Sequence, residues 1–124
     1  MLGHALILIA EDEPFIALDL AMSVEDADGE VLGPAGSVKE ALCLLENRKV
    51  AAAILDVHLS DGDVSPLAER LLLNGVHVIL QTGVGAPPEL AARFPNLIVH
   101  RKPMMSESLV QQLALLVASR GTAA

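Results

Sequence analysis

The sequence predicts a single α/β domain. It is read as a (βα)5 doubly wound parallel sheet in the strand order 2-1-3-4-5, with a short or mobile fourth helix. Three observations predict it. Short, continuous apolar runs suited to strands buried on both faces alternate with stretches of helical period. The alternation repeats five times, which calls for crossover connections and a doubly wound sheet. The 124 residues leave room for one such domain and no second folded unit.

Taken in order, the strands are Ala5 to Ala10 (ALILIA), Glu30 to Gly33, Val50 to Leu55 (VAAAIL), Val76 to Leu80 (VHVIL) and Asn96 to His100 (NLIVH). Between them, Ile16, Leu20 and Val24 recur every fourth residue after Pro14, which the first turn of a helix tolerates. Ser37 opens a Ser-Val-Lys-Glu capping box, with Val38, Ala41, Leu42 and Leu45 on one face. Leu67 and Leu71 belong to a third helix stopped by Asn74 and Gly75. After Pro87 and Pro88 only Glu89 to Phe94 remain before Pro95, which is marginal for a helix. Ser106 is expected to cap the last helix, whose stripe is Leu109, Val110, Leu113, Leu116 and Val117. That stripe is expected to cover the sheet, and is broad enough to serve a weak homodimer.

Composition limits the functions open to such a domain. Apolar residues make up 52% of the chain but aromatics only 2%, so the core is aliphatic. A net charge of -8, without clustered Lys or Arg, argues against nucleic acid as a direct partner. Cys43 is the only cysteine, which forbids an internal disulfide and suits a reducing, cytoplasmic setting. The longest apolar runs fall far short of the ~18 residues of a membrane helix, and the N-terminus has no export signal. The expected protein is soluble and has no membrane partner.

The polar residues at the strand ends carry the chemistry, because open α/β sheets bind ligands beyond the carboxyl ends of their strands. The first strand runs into Glu11, Asp12 and Glu13; the third ends in Asp56; the fourth ends in Gln81, Thr82 and Gly83; the fifth ends in Arg101, Lys102 and Pro103. Each alone has a bland reading as a turn, a cap or a surface loop. Together they place three carboxylates, a hydroxyl and an ammonium on one rim. Close carboxylates repel and raise one another's pKa unless a cation joins them, and carboxylate oxygens with water are what Mg²⁺ prefers. Lys102 can neutralise part of what remains. Such a site suits phosphoryl transfer, which needs positioning and charge neutralisation. Asp56 is the expected nucleophile.

With these residues located, the chain resembles a two-component response-regulator receiver domain, of flavodoxin-like (CheY-like) fold. The likeness runs from Ala5 to about Arg120 and rests on Leu6 to Pro14 (LILIAEDEP), Ala53 to Leu59 (AILDVHL), Leu80 to Gly83 (LQTG) and Arg101 to Pro103 (RKP). The resemblance implies that Mg²⁺ is held by Glu11, Asp12, Asp56 and the main-chain carbonyl of His58. It also implies that Asp56 is phosphorylated, that Thr82 and Lys102 bind the phosphoryl group, and that the Lys102–Pro103 peptide is cis. The stretch Leu80 to Gly85 (LQTGVG), followed by a poor helix, is similar to the FAT GUY receivers of alphaproteobacteria, although Leu80, Gln81 and Val84 replace that pattern's Phe, Ala and Tyr. Those receivers work with HWE-type histidine kinases.

Gly83, Val84, Val99 and Pro103 are expected to flank the site. Many receivers carry an aromatic switch residue three positions before the lysine, where this chain has Val99. Any switching is therefore expected to run through the loop from Gly83 to Ala86 and the short fourth helix. His58 and Val84 border the site and can tune phosphoryl lifetime, while His4, His77 and His100 are expected to be structural or exposed. The donor is expected to be a histidine kinase, a phosphotransfer protein or a small phosphodonor. No output domain is expected to follow the last helix, so the output is expected to be a protein-protein contact by a monomer or weak dimer. The protein is expected not to be an enzyme beyond phosphorylating and dephosphorylating itself.

Two other classes fit less well. A pseudo-receiver, an interaction module that is not phosphorylated, is favoured by the missing aromatic but not by the intact Glu11, Asp12, Asp56, Thr82 and Lys102. A flavodoxin-like FMN protein needs a hydroxyl- and glycine-rich loop where three acids stand. A phosphohydrolase of the haloacid dehalogenase type needs a second aspartate at the position of His58.

Overall fold

The computed structural model describes residues 1–102 and 105–122. Five strands, β1 (Leu6–Ala10), β2 (Glu30–Ala35), β3 (Ala52–Asp56), β6 (His77–Thr82) and β7 (Ile98–Arg101), form a parallel sheet in the order β2-β1-β3-β6-β7. This is the expected 2-1-3-4-5 arrangement. A two-stranded antiparallel ribbon, β4 (His58–Leu59) and β5 (Gly62–Asp63), lies between the third and fourth sheet strands and was not foreseen. Its residues are too few and too polar to show a strand pattern.

Alternate strand residues feed two cores, as period two requires. Leu8, Ala53, Leu55, Val78 and Leu80 pack with Ala41 and Leu45 of α2 (Val38–Leu45), Leu67 and Leu71 of α3 (Ser65–Leu73) and Leu90 of α4 (Pro88–Arg93). Ile7, Ile9, Ile54 and Ile79 pack on the other face with Leu20 and Val24 of α1 (Pro14–Asp26) and Leu109, Val110 and Leu113 of α5 (Ser106–Thr122). Leu116 and Val117 pack against the same core, so the α5 stripe covers the sheet. The fourth helix is short, at six residues, and an exposed Arg93–Glu69 ion pair of 2.6 Å ties it to α3.

Local chemistry explains the boundaries. Ser37 caps α2 by accepting from the Glu40 amide, but the Glu40 carboxylate reaches the Gly36 amide instead of closing the reciprocal bond of a capping box. Asp61 adds a cap from a distance, accepting from the amides of Val38 at 2.7 Å and Lys39 at 3.1 Å. Gly75, at φ 77°, and the bond from the Val76 amide to the Leu71 carbonyl end α3. Gly33 interrupts the β1–β2 register at φ 104°; a Cβ there would lie 2.8 Å from the Ile9 carbonyl oxygen.

Ser106 departs from expectation. Its hydroxyl donates to Asp19 Oδ2 at 2.7 Å and lies 2.8 Å from Ser23 Oγ, so it joins α5 to α1 rather than capping α5. Its one proton goes to Asp19, so the Ser23 hydroxyl donates to Ser106 Oγ, and the side chain serves the facing helix rather than its own helix terminus.

Candidate functional site

The carboxyl ends of β1, β3, β6 and β7 share one edge of the sheet, and the polar residues predicted from the sequence gather there. Glu11 follows β1 and is 3% exposed; Asp56 closes β3 at 7%; Asp12 is open to solvent. One oxygen from each of Glu11, Asp12 and Asp56 lies within 4.8 Å of the others. Lys102 Nζ reaches over this group, 2.9 Å from Glu11 Oε1 and 3.2 Å from Asp56 Oδ2. The chain is placed for this reach by the bond from the Lys102 amide to the Thr82 carbonyl, which extends the β6–β7 pairing by one step.

The electrostatics follow from burial. Removal from water pushes the Glu11 carboxyl above its ordinary value, the hydrogen bond from Lys102 works against this, and the neighbouring Asp56 adds to it. Burial by itself would lower the Lys102 ammonium, but the hydrogen bond and charge of Glu11, followed by Asp56, outweigh it and hold the group above its usual value. A single ammonium therefore faces a cluster of three carboxylates. Oxygen-only donors with excess negative charge, one side open to solvent at Asp12, match the preference of Mg²⁺ for carboxylates and water.

His58 sits beside Asp56, its amide donating to Asp56 Oδ1 at 3.3 Å, and its side chain is exposed. The ribbon that carries it is pinned to α2: the Ser60 hydroxyl donates to the Gly36 carbonyl at 2.8 Å, alongside the Asp61 cap. Gly83 and Val84 are exposed at the rim, Arg101 donating to the Gly83 carbonyl at 3.4 Å, and Val99 is half-buried against the α2–α3 core. Pro103, and with it the predicted cis Lys102–Pro103 bond, lies outside the described residues. His4 is exposed near Asp28, and His100 bonds Gln112.

Thr82 closes a local loop at the end of β6. It is buried, and its hydroxyl donates to the Gly85 carbonyl while accepting from the amides of Val84 and Gly85, each at 3.0 Å. Among the described residues no hydrogen bond joins it to Asp56. A β-strand ending in Thr-Gly gives no sequence sign of this closed local loop, because the hydroxyl's partners are main-chain groups.

No protein-family profile matches the chain. Among solved structures it superposes on a CheY-like response regulator receiver domain protein from Methanospirillum hungatei with a TM-score of 0.83, covering 97% of this chain and 98% of that one at 24% identity. That likeness shows the fold. SdrG from Sphingomonas melonis is 35% identical, with 94% of this chain and 99% of that one covered and a TM-score of 0.74. The chain belongs to the CheY-like response-regulator receiver domains. A curated relative of the receiver, the transcriptional regulatory protein PdtaR of Mycobacterium tuberculosis, is 40% identical over 57 residues. That match spans 28% of the relative's length. Among the described residues, no helix of the receiver is long and apolar enough to cross a membrane.

Proposed function

We propose that this receiver accepts a phosphoryl group on Asp56 in a two-component or phosphorelay pathway, and that the charged form switches protein-protein contacts. The observation that carries the reading is Lys102 Nζ bridging Asp56 and Glu11 at the mouth of a three-carboxylate cluster. A lysine and a metal-compatible acid pair beside one carboxylate are what a phosphoryl group needs to settle there. Glu11, Asp12, Asp56 and the His58 carbonyl would hold Mg²⁺, which would neutralise the carboxylates and polarise the phosphoryl oxygens. Asp56 attacks phosphorus as the bond to the donor's imidazole nitrogen breaks. Lys102 then pairs with one phosphoryl oxygen, and Thr82, once freed from Gly85, donates to another. The receiver is in this sense a phosphoryl acceptor and switch, with at most self-phosphorylation and self-dephosphorylation as its catalysis.

An apolar collar around the acidic rim supports a protein donor, a histidine kinase or phosphotransfer protein. Phe15, 82% exposed, opens α1, Leu18 and Met22 continue along it, and Val84 and Met105 stand exposed on the loops after β6 and β7. The Leu80 to Gly85 pattern favours an HWE-type kinase as that donor.

One observation favours the rival pseudo-receiver: every hydrogen-bonding capacity of the Thr82 hydroxyl is met by its own loop. Fluorine NMR with beryllofluoride and Mg²⁺ separates the two. A phosphoryl-accepting receiver gives a protein-bound fluorine signal that Asp56→Ala abolishes. A wild-type protein with no bound signal would support the pseudo-receiver.

A further inference from the structure

Gln81 is a buried polar residue that the proposed chemistry leaves without a task. It is 3% exposed, and its Oε1 atom is buried with no hydrogen-bond partner among the described residues. A buried acceptor without a donor is costly, so its persistence calls for a donor in some state of the molecule.

Its position names that donor. Asp56 and Gln81 are Cα partners across β3 and β6. Two residues earlier in the same register, Ile54 and Ile79 both face the α1–α5 core, and period two puts Asp56 and Gln81 on that face together. The groove there, of about 390 Å³, is lined by Gln81 and Lys102 with Phe15, Ile16, Asp19 and Ser106 among others. The Lys102 ammonium has three protons to donate and gives two, to Glu11 and Asp56. One buried acceptor lacks a donor, and a lysine lining the same groove has a proton to spare.

We propose that Gln81 is a positioning residue for Lys102: its side-chain carbonyl takes the ammonium whenever Glu11 is withdrawn from it. Glu11 has two competing duties, since its carboxylate holds Lys102 and also belongs to the candidate metal cluster. When a divalent cation claims Glu11, Lys102 keeps Asp56 and turns its freed proton to Gln81. The lysine thus stays beside Asp56, poised for a phosphoryl oxygen. This rests on the reading of Lys102 as the phosphoryl-holding cation and deepens it.

The test has a metal-free arm and a metal arm. In metal-free protein, Glu11→Ala should move the side-chain amide resonances of Gln81 in nitrogen-15 NMR, and the shift should vanish in Glu11→Ala/Lys102→Ala. Glu11→Gln serves the same purpose if the alanine variant fails to fold. A Gln81 amide indifferent to Glu11, or one that moves equally without Lys102, overturns the proposal. In the metal arm, Gln81→Met, which keeps the length and loses the acceptor, should weaken Mg²⁺ binding roughly tenfold in the presence of Lys102 and leave it unchanged in a Lys102→Ala background. Equal Mg²⁺ affinity in wild type and Gln81→Met also overturns it. A wild type that binds no Mg²⁺ sinks the metal reading instead, and the metal-free arm then decides the role of Gln81.

Discussion

The Thr82 hydroxyl donates to the Gly85 carbonyl at 3.0 Å, closing the β6–α4 loop on itself. Gly85 adopts φ 110°, a conformation that L side chains rarely tolerate. The hydroxyl cannot serve both Gly85 and a phosphoryl oxygen on Asp56. Phosphorylation should therefore unlatch the loop. Hydrogen exchange by mass spectrometry should show the Val84 and Gly85 amides, which now bond Thr82 Oγ1, exchanging faster in the beryllofluoride complex and faster still in free Thr82→Val. Unchanged exchange in both would break the link between Thr82 and the loop. Gly85→Ala should strain the closed form, costing about 1 kcal/mol of stability.

The raised Glu11 carboxyl makes a pH prediction of definite sign. The folded state holds this proton more tightly than the unfolded state, so its stabilising contribution is complete below the ordinary value of 4.5 and is lost as pH rises through the folded value. Thermal melts of metal-free protein should lose stability across that window. Glu11→Gln should flatten the loss and raise the neutral-pH Tm by roughly 4 °C, or about 1 kcal/mol. Mg²⁺ should raise the Tm of the wild type and leave Glu11→Gln unmoved. A melt curve identical for both proteins at every pH and Mg²⁺ level would contradict this account of the cluster.

Asp61 titrates the opposite way. Hydrogen bonds from the Val38 amide and then the Lys39 amide hold its carboxyl below the ordinary 3.8. Its support for α2 is present above that value and is lost as pH falls through the folded one. Asp61→Ala should lower the Tm at neutral pH and remove this part of the acid sensitivity. Because the same residue pins the ribbon carrying His58, the Asp56 and Val57 amide resonances should also shift. A variant with unaltered resonances would show the ribbon to be held by Ser60 alone.

The sheet order was readable because β1, β3 and β6 announce themselves as apolar runs and β2 and β7 as weaker ones between helical stretches, and the convergence of Glu11, Asp12, Asp56 and Lys102 follows from that order. Strand ends moved by a residue or two: β3 begins at Ala52 and runs through Asp56, since register with β1 and β6, and not apolarity, sets its span. What stayed hidden depends on main-chain geometry or on facing helices. The β4–β5 ribbon, the Thr82–Gly85 bond and the Ser106–Asp19 bond each pair a residue with a partner that local sequence does not name. Gln81 was visible as a polar residue at a strand end, but only the folded register sets it beside Asp56.

Whether Asp56 takes the phosphoryl group is decided by intact-mass spectrometry after incubation with acetyl phosphate and Mg²⁺. The wild type should gain the mass of one phosphoryl group, lose the gain when Mg²⁺ is chelated, and show none in Asp56→Ala. An equal gain in Asp56→Ala, or no gain in the wild type under any Mg²⁺ level, would contradict it.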